Sequence, residues 1–212
     1  MDFEKLREVN INLTKKKLKE SITTDFLVIQ AIHTIDELVK IINRLVENLR
    51  ERYSYYSLTV SKKEDLKELI TAVKEKQLDK EISTFNKEDF DAILTLLSAV
   101  EILIKAKEKN EEYLEKIMDS YPNLKSTAGT FIAARLMAIA GSIKRLAELP
   151  SSTIQVLGAE KALFRHLRTG ARPPRFGVIF SHEAITGAEN RGRAARHLAS
   201  KISLAVRKDY FK

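Results

Sequence analysis

The 212-residue chain contains no cysteine and no tryptophan. Without cysteine, disulfides and thiolate metal sites are excluded, and the composition fits a reducing compartment. Glycine and proline are absent from the first 121 residues, since all seven Gly and all four Pro follow Tyr121. A stretch that long without a helix breaker is predicted to be almost wholly helical. No uninterrupted apolar run approaches the roughly twenty residues of a membrane helix, and no signal-peptide pattern opens the chain. A soluble intracellular protein without membrane contact is expected. There is also no Gly-rich loop after a strand that could hold a nucleotide or S-adenosylmethionine. Of the four histidines, His33 lies far from His166, His182 and His197, and the last quarter of the chain offers only Glu160, Glu183, Glu189 and Asp209 as acids. No catalytic residue, metal site or cofactor is expected, and the chain reads as a non-enzyme.

What the chain does have is a charge imbalance confined to its end. From Gly158 to Lys212 there are twelve Lys+Arg against four Asp+Glu, while the first 157 residues carry 25 of each sign. The entire net charge of +8 therefore sits in the last quarter. Eight of the twelve terminal cations are Arg, against six of 25 upstream. Planar guanidinium groups bind phosphate oxygens in pairs, whereas solvating surfaces favour Lys. A basic patch restricted to one domain is the footprint expected of nucleic-acid binding, with an acidic membrane or an acidic protein as weaker alternatives.

Taken in order, residues 1–24 form a Lys-rich, helical or loosely ordered lead-in. Ile32, Ile35, Val39, Ile42, Val46 and Leu49 then repeat at spacings of three and four, a heptad seam. A second seam runs through Phe90, Ile93, Leu97, Val100 and Ile104, and continues more weakly to Leu114 and Met118. Two such helices predict an antiparallel coiled-coil hairpin over 25–121. Between them Leu66, Leu69, Ile70 and Val73 mark a helical tip, with Ser61 and Ser83 as candidate start signals. The neutral hairpin suits a spacer or a self-association arm better than a catalytic scaffold. Residues 122–212 predict a compact basic domain with one helix over about Phe131–Glu148 and a short turn after Pro150 capped by Ser151 or Ser152. A further helix follows Gly158, and the last runs from about Ala188 to Tyr210. The fold class is all-α.

The helix after Gly158 carries the most specific pattern. At 100° per residue Ala159, Leu163 and Leu167 share one side, expected to dock on a core, while Lys161, Arg165 and Arg168 share the other. The following loop adds Arg172 and Arg175 around Pro173-Pro174. The same pattern also describes an ordinary amphipathic helix with a solvated basic face.

Gly-Ala-Glu-Lys-Ala-Leu-Phe-Arg-His-Leu (Gly158 to Leu167), Pro-Arg-Phe-Gly-Val-Ile-Phe (Pro174 to Phe180), Arg-Gly-Arg-Ala-Ala-Arg (Arg191 to Arg196) and the ending Asp209-Tyr210-Phe211 resemble the Nop domain of box C/D ribonucleoprotein core proteins. Upstream, Ile29-Gln30-Ala31 and Arg52-Tyr53-Ser54-Tyr55-Tyr56 sit where that family's coiled coil begins and turns, so the resemblance spans about Val9 to Phe211. It implies a scaffold that recognises a kink-turn guide RNA together with a small kink-turn-binding protein of ribosomal type. It further implies a homodimer through the coiled coil and the positioning of fibrillarin for guided 2'-O-methylation of rRNA or tRNA. On this reading Lys161, Arg165, Arg168, Arg172, Arg175, Arg191, Arg193 and Arg196 converge on one RNA duplex. Gly158, Ala159, Glu160 and Phe164 form the motif and the surface for the partner protein.

The family's full-length proteins carry an amino-terminal fibrillarin-binding domain, and this chain starts almost at the coiled coil, so fibrillarin is a doubtful direct partner. The Lys-rich tail of many eukaryotic members is absent, which points to an archaeal, cytoplasmic form; a eukaryotic member is expected in the nucleolus. Two alternatives accompany this reading: a spliceosomal small nuclear ribonucleoprotein assembly factor with the same domain, and a purely structural coiled-coil adaptor.

Overall fold

A computed structural model describes residues 3–79 and 86–212. It is 81% helical, with twelve α-helices and no strand among the described residues. The chain is all-α, and its described residues group into two compact units, 34–111 and the combination of 1–33 with 112–212. The division into lead-in, arm and basic domain remains a proposal about how the chain is used.

Helix α1 spans Phe3–Ser21, and Phe3, Leu6, Ile11, Leu13 and Leu18 on it are exposed. The two heptad seams become α2 (Thr24–Ser54) and α5 (Lys87–Ile117). In unit 34–111, Arg52, Tyr55 and Tyr56 at the end of α2 line the same small cavity as Asp89, Ala92 and Ile93 at the start of α5. The helices therefore run antiparallel as a coiled-coil hairpin. Ile42, Val46, Leu49 and Tyr53 of α2 pack in one apolar cluster with Ile93, Leu97 and Val100 of α5. The expected seams meet inside a single chain. Val39 and Ile104 are only half-buried.

Between these helices lie α3 (Leu58–Ser61) and α4 (Leu66–Lys74), whose Leu69, Ala72 and Val73 join the same cluster. Their start signals are not the expected ones. The hydroxyl of Ser57 caps α3 by accepting from Val60 N, and Asp65 caps α4 by accepting from Lys67 N. Ser61 closes α3 rather than opening a helix, because Asp65 lies immediately before the apolar repeat and supplies a stronger acceptor. Ser83 lies outside the described residues. Asp79 holds the tip by accepting from Ser57 Oγ at 2.9 Å and Leu58 N at 2.8 Å. The Ser57 hydrogen bond, with those from Thr59 and Leu58, holds its carboxyl below the usual range. Tyr53 is buried and donates to Gln77 O at 2.9 Å, and burial pushes its phenol up to about 12. Arg50 donates to the carbonyls of Ser61, Lys63 and Glu64, satisfying the turn into α4.

Within the other unit the helices are shorter: α6 (Pro122–Ala128), α7 (Thr130–Ala140), α8 (Ile143–Glu148), α9 (Ser151–Val156), α10 (Glu160–Thr169), α11 (Glu183–Thr186) and α12 (Arg191–Tyr210). Pro122 opens α6 at a position where no amide donor is needed. Thr127 lies inside α6, and the helix after it starts at Thr130. The single helix expected over 131–148 is two helices. Gly141 is left-handed at φ 87 and ends α7, and Ser142 then caps α8 by accepting from Arg145 N. Ser151 and Ser152 are the first residues of α9 and provide no cap; Pro150 precedes them. The last helix begins at Arg191 rather than Ala188, because Asn190 Oδ1 accepts from Arg193 N and fixes the start there.

Helix α12 is the axis of this unit and packs against α6, α8, α9 and α11. Its inner stripe of Ala195, Leu198, Ala199, Ile202, Ala205 and Val206 is buried. Three alanines in that stripe let the neighbouring backbones come close. Its end is fastened by Asp209, which accepts from Asn123 Nδ2 at 2.6 Å and Leu124 N at 2.8 Å and so caps α6.

One further close approach shapes the basic end. Gly177 N donates to Gln155 O at 2.9 Å and Val178 N to Leu157 O at 2.8 Å, joining two segments twenty residues apart. A Cβ on Gly177 would lie 1.9 Å from Leu157 O and 2.8 Å from Val156 C, both backbone atoms. Beyond it, Val178–Ser181 forms a 3₁₀ turn with Ile179 fully buried. Gly177→Ala is expected to lower stability by at least about 3 kcal/mol in denaturant unfolding, because the backbone cannot yield. Gly192→Ala, whose Cβ would meet nothing nearer than 3.7 Å, should be neutral or stabilising by up to about 1 kcal/mol.

Candidate nucleic-acid interface

The Gly177 pairing pins the loop 170–176 across α9 and brings it beside the start of α12. Gln155 Nε2 donates to Arg175 O at 2.7 Å, reinforcing the loop from the α9 side. Between loop and helix lies a groove of ≈ 690 Å³ lined by Gln155, Arg172, Pro173, Pro174, Arg175, Asn190, Gly192, Arg193 and Arg196. Four of the eight expected RNA-binding residues thus come together from two segments. All four arginines are exposed, and no carboxylate lines the groove. The two prolines stiffen one wall and α12 forms the other, so the guanidinium groups are held on rigid supports. The arrangement presents several planar donors to an anion from a backbone with little ordering entropy left to lose.

Arg191 sits apart from this lining. Its guanidinium lies 5.9 Å from the Phe180 ring centroid, and Phe180 stacks on Phe176 at 4.6 Å. Lys161, Arg165 and Arg168 are exposed on α10 and do not line the groove.

The expectation for the apolar side of α10 is overturned. No residue of α10 is buried. Leu163 is 37% exposed, Phe164 68% and Leu167 72%. The side that does make contact is Ala159, Ala162 and His166, each half-buried, with His166 Nδ1 hydrogen-bonded to Ala171 O. These smaller side chains let α10 lie close at its start and end while Leu163, Phe164 and Leu167 face outward. The helix therefore presents an apolar strip beside its cations. Gly158 has φ 88, and its amide donates to the Glu160 carboxylate at 2.7 Å. A Cβ there would come within 2.5 Å of Val178 Cγ2, so Gly158 and Glu160 set the helix start and its seat on the 3₁₀ turn.

Two lining residues were not read from the sequence. Asn190 has a local signal, since an amide side chain just before Arg191 fits an N-cap. Gln155 has none, because its place in the groove comes from pairing with residues twenty positions on. Among the described residues, no three His, Cys, Asp or Glu lie together as metal ligands would, and no helix is long and apolar enough to cross a membrane.

Residues 7–212 match the family described as Nop, snoRNA binding domain, fibrillarin. The chain is 36% identical over 238 residues to a NOP5 family protein of Methanocaldococcus jannaschii, covering 98% of this chain and 58% of that protein. It is 33% identical to nucleolar protein 58 of Schizosaccharomyces pombe, over 93% of this chain and 45% of the relative. With nucleolar protein 56 of Bos taurus the identity is 35%, over 93% and 39%. The chain thus spans about half the length of these relatives. In three dimensions it resembles a chain from the crystal structure of a fibrillarin/Nop5p complex, with a TM-score of 0.59 and 26% identity, covering 99% of this chain and 71% of the other. Coiled coil and basic helical domain together, over residues 7–212, this chain belongs to the Nop family.

Proposed function

We propose that this chain is the RNA-binding scaffold of a box C/D ribonucleoprotein, taking a kink-turn guide RNA together with a small kink-turn-binding protein in support of guided 2'-O-methylation of rRNA or tRNA. The observation that carries the reading is the rigid groove of Arg172, Arg175, Arg193 and Arg196 inside the family-matched domain. Its guanidinium donors suit phosphate oxygens, and contacts of that kind position RNA without selecting its sequence. Selectivity is then supplied by a second component. The exposed Leu163, Phe164 and Leu167 of α10 support this: an apolar strip beside Lys161, Arg165 and Arg168 fits a surface where a protein and its bound RNA are met together. On this reading the chain has a positioning role and no catalytic one. The likeness to nucleolar proteins 56 and 58 supports the box C/D assignment over the spliceosomal one. The solved relative's association with fibrillarin makes that methyltransferase a proposed partner in the assembly.

Binding of the full chain to a kink-turn RNA, alone and preloaded with the small protein, tests the reading. Weak, steeply salt-dependent binding to free RNA and much tighter binding to the preformed complex are expected. Arg193→Ala should cost about 1–3 kcal/mol on both. Phe164→Ala should cost a similar amount, about 1–2 kcal/mol, on the complex alone. Neither variant should shift the melting temperature by more than about 2 °C, since both side chains are exposed. Equal affinity for free RNA and complex, or an unchanged Phe164→Ala, contradicts the shared surface.

Self-association through the coiled coil is also proposed, but by a different face from the seams, which are internal. Ile41 is 45% exposed and Ile102 66% exposed on the two long helices, and these supply apolar contact area for a second copy. Light scattering at tens of micromolar should give a dimer for the natural chain and a monomer for Ile102→Lys. Ile42→Asp, at a position only 6% exposed, should instead unfold the hairpin. A monomeric natural chain contradicts the proposal.

A further inference from the structure

The arginine groove uses only the first turns of the exposed side of α12. At 100° per residue Arg193, His197, Lys201, Leu204 and Lys208 all fall within a sector of about 80°, and all five are exposed. Beyond the groove, Lys201, Leu204, Ala205 and Lys208 face Asn123, Ser126 and Thr127 of α6 across a second, smaller groove of ≈ 230 Å³. No carboxylate lines it. The nearest acid in sequence, Asp209, has a fully buried side chain already committed to Asn123 and Leu124. Among the described residues neither lysine has a carboxylate within ion-pair distance. The groove is cationic and its charge is uncompensated.

The polar atoms of the opposite wall narrow the ligand. Ser126 Oγ and Thr127 Oγ1 both donate to Asn123 O, at 3.0 and 2.8 Å. Their protons are spent, so an anion here is held by the two lysines, while the hydroxyl oxygens remain acceptors. Lysine donors for phosphate, acceptors for a ribose 2'-hydroxyl and one apolar side chain between them match a ribonucleic-acid backbone. An acidic peptide offers carboxylates to the lysines but no regularly placed hydroxyl donor.

We infer that the α6–α12 groove is a second RNA-backbone subsite, with Lys201 and Lys208 as its phosphate contacts, continuing the arginine groove along one face of α12. The fifteen helical steps from Arg193 to Lys208 rise about 22 Å, beyond the reach of an RNA stem of about five base pairs. The second groove is therefore reached only by a stem long enough to run past the first. The inference rests on the RNA reading above, and its test separates the two.

The test uses the full chain, the small kink-turn-binding protein and two fluorescein-labelled kink-turn hairpins that differ only in stem length, about five against about fourteen base pairs. Lys201→Gln/Lys208→Gln should weaken binding of the long hairpin about tenfold near 0.1 M salt and reduce its log K against log salt slope by about two, the equivalent of two lost phosphate contacts. On the short hairpin the change should stay under about twofold. The melting temperature should not move, because both lysines are solvent-facing. An unchanged affinity for the long hairpin, or equal losses on both, overturns the subsite while leaving the RNA reading standing. A natural chain that binds neither hairpin removes both. A double variant that stops binding the small protein in the absence of RNA also overturns it, by assigning the lysines to a protein surface.

Discussion

Burial of one stripe of α12 is the constraint on which the basic unit depends. Ala195, Leu198, Ala199, Ile202, Ala205 and Val206 are each held against shorter helices, and Asp209 locks the far end of α12 to the start of α6. A helix fixed on one side has no rotational freedom left, so the opposite side must face solvent. That side carries Arg193, Arg196, Lys201 and Lys208. The cations are placed by packing behind them rather than by pairing with each other, which explains how like charges remain close without a compensating acid. Their mutual repulsion is weak in water at these exposures and would be relieved by a bound phosphate.

A second constraint turns that face into a groove. The loop carrying Arg172 and Arg175 is held down by the backbone pairing of Gly177 and Val178 with Gln155 and Leu157, at a separation no other residue at 177 tolerates. Prolines 173 and 174 then limit what the loop can do. Preorganisation of this kind shifts the ordering cost from binding to folding. Helix α10 is built on the opposite plan. It lacks buried side chains, has Ala159, Ala162 and His166 half-buried, and keeps its apolar residues on the outside. A helix that does not contribute its apolar face to its own core has that face available to another molecule, and the Gly158–Leu167 stretch lies there.

Much of this was legible from residues alone, for physical reasons that differ by element. The two long helices follow from heptad spacing in a stretch without Gly or Pro, and Ile32, Ile35, Leu49, Leu97 and Val100 are buried as that spacing requires. The buried face of α12 follows in the same way. The errors concentrate where local and tertiary signals compete. Gly141 lies inside an apolar repeat that runs on past it, but it is the left-handed end of a helix, so the one helix expected over about Phe131–Glu148 is two. Leu163 and Leu167 have the periodicity of a docking face, but periodicity reports which residues share a side and not whether anything covers it. The grouping of Arg172 and Arg175 with Arg193 and Arg196 depends on a long-range pairing through Gln155, which no local pattern encodes. The same limit hid Lys201 and Lys208, whose significance arises only when α6 is placed opposite them.

The central claim is that RNA is met by the α10–α12 surface and not by the coiled coil. Ultraviolet cross-linking of a kink-turn RNA to the full chain in the presence of the small kink-turn-binding protein, followed by identification of the cross-linked peptides, addresses it directly. Cross-links within residues 158–208 are what the structure predicts, and cross-links confined to residues 34–111 would contradict it.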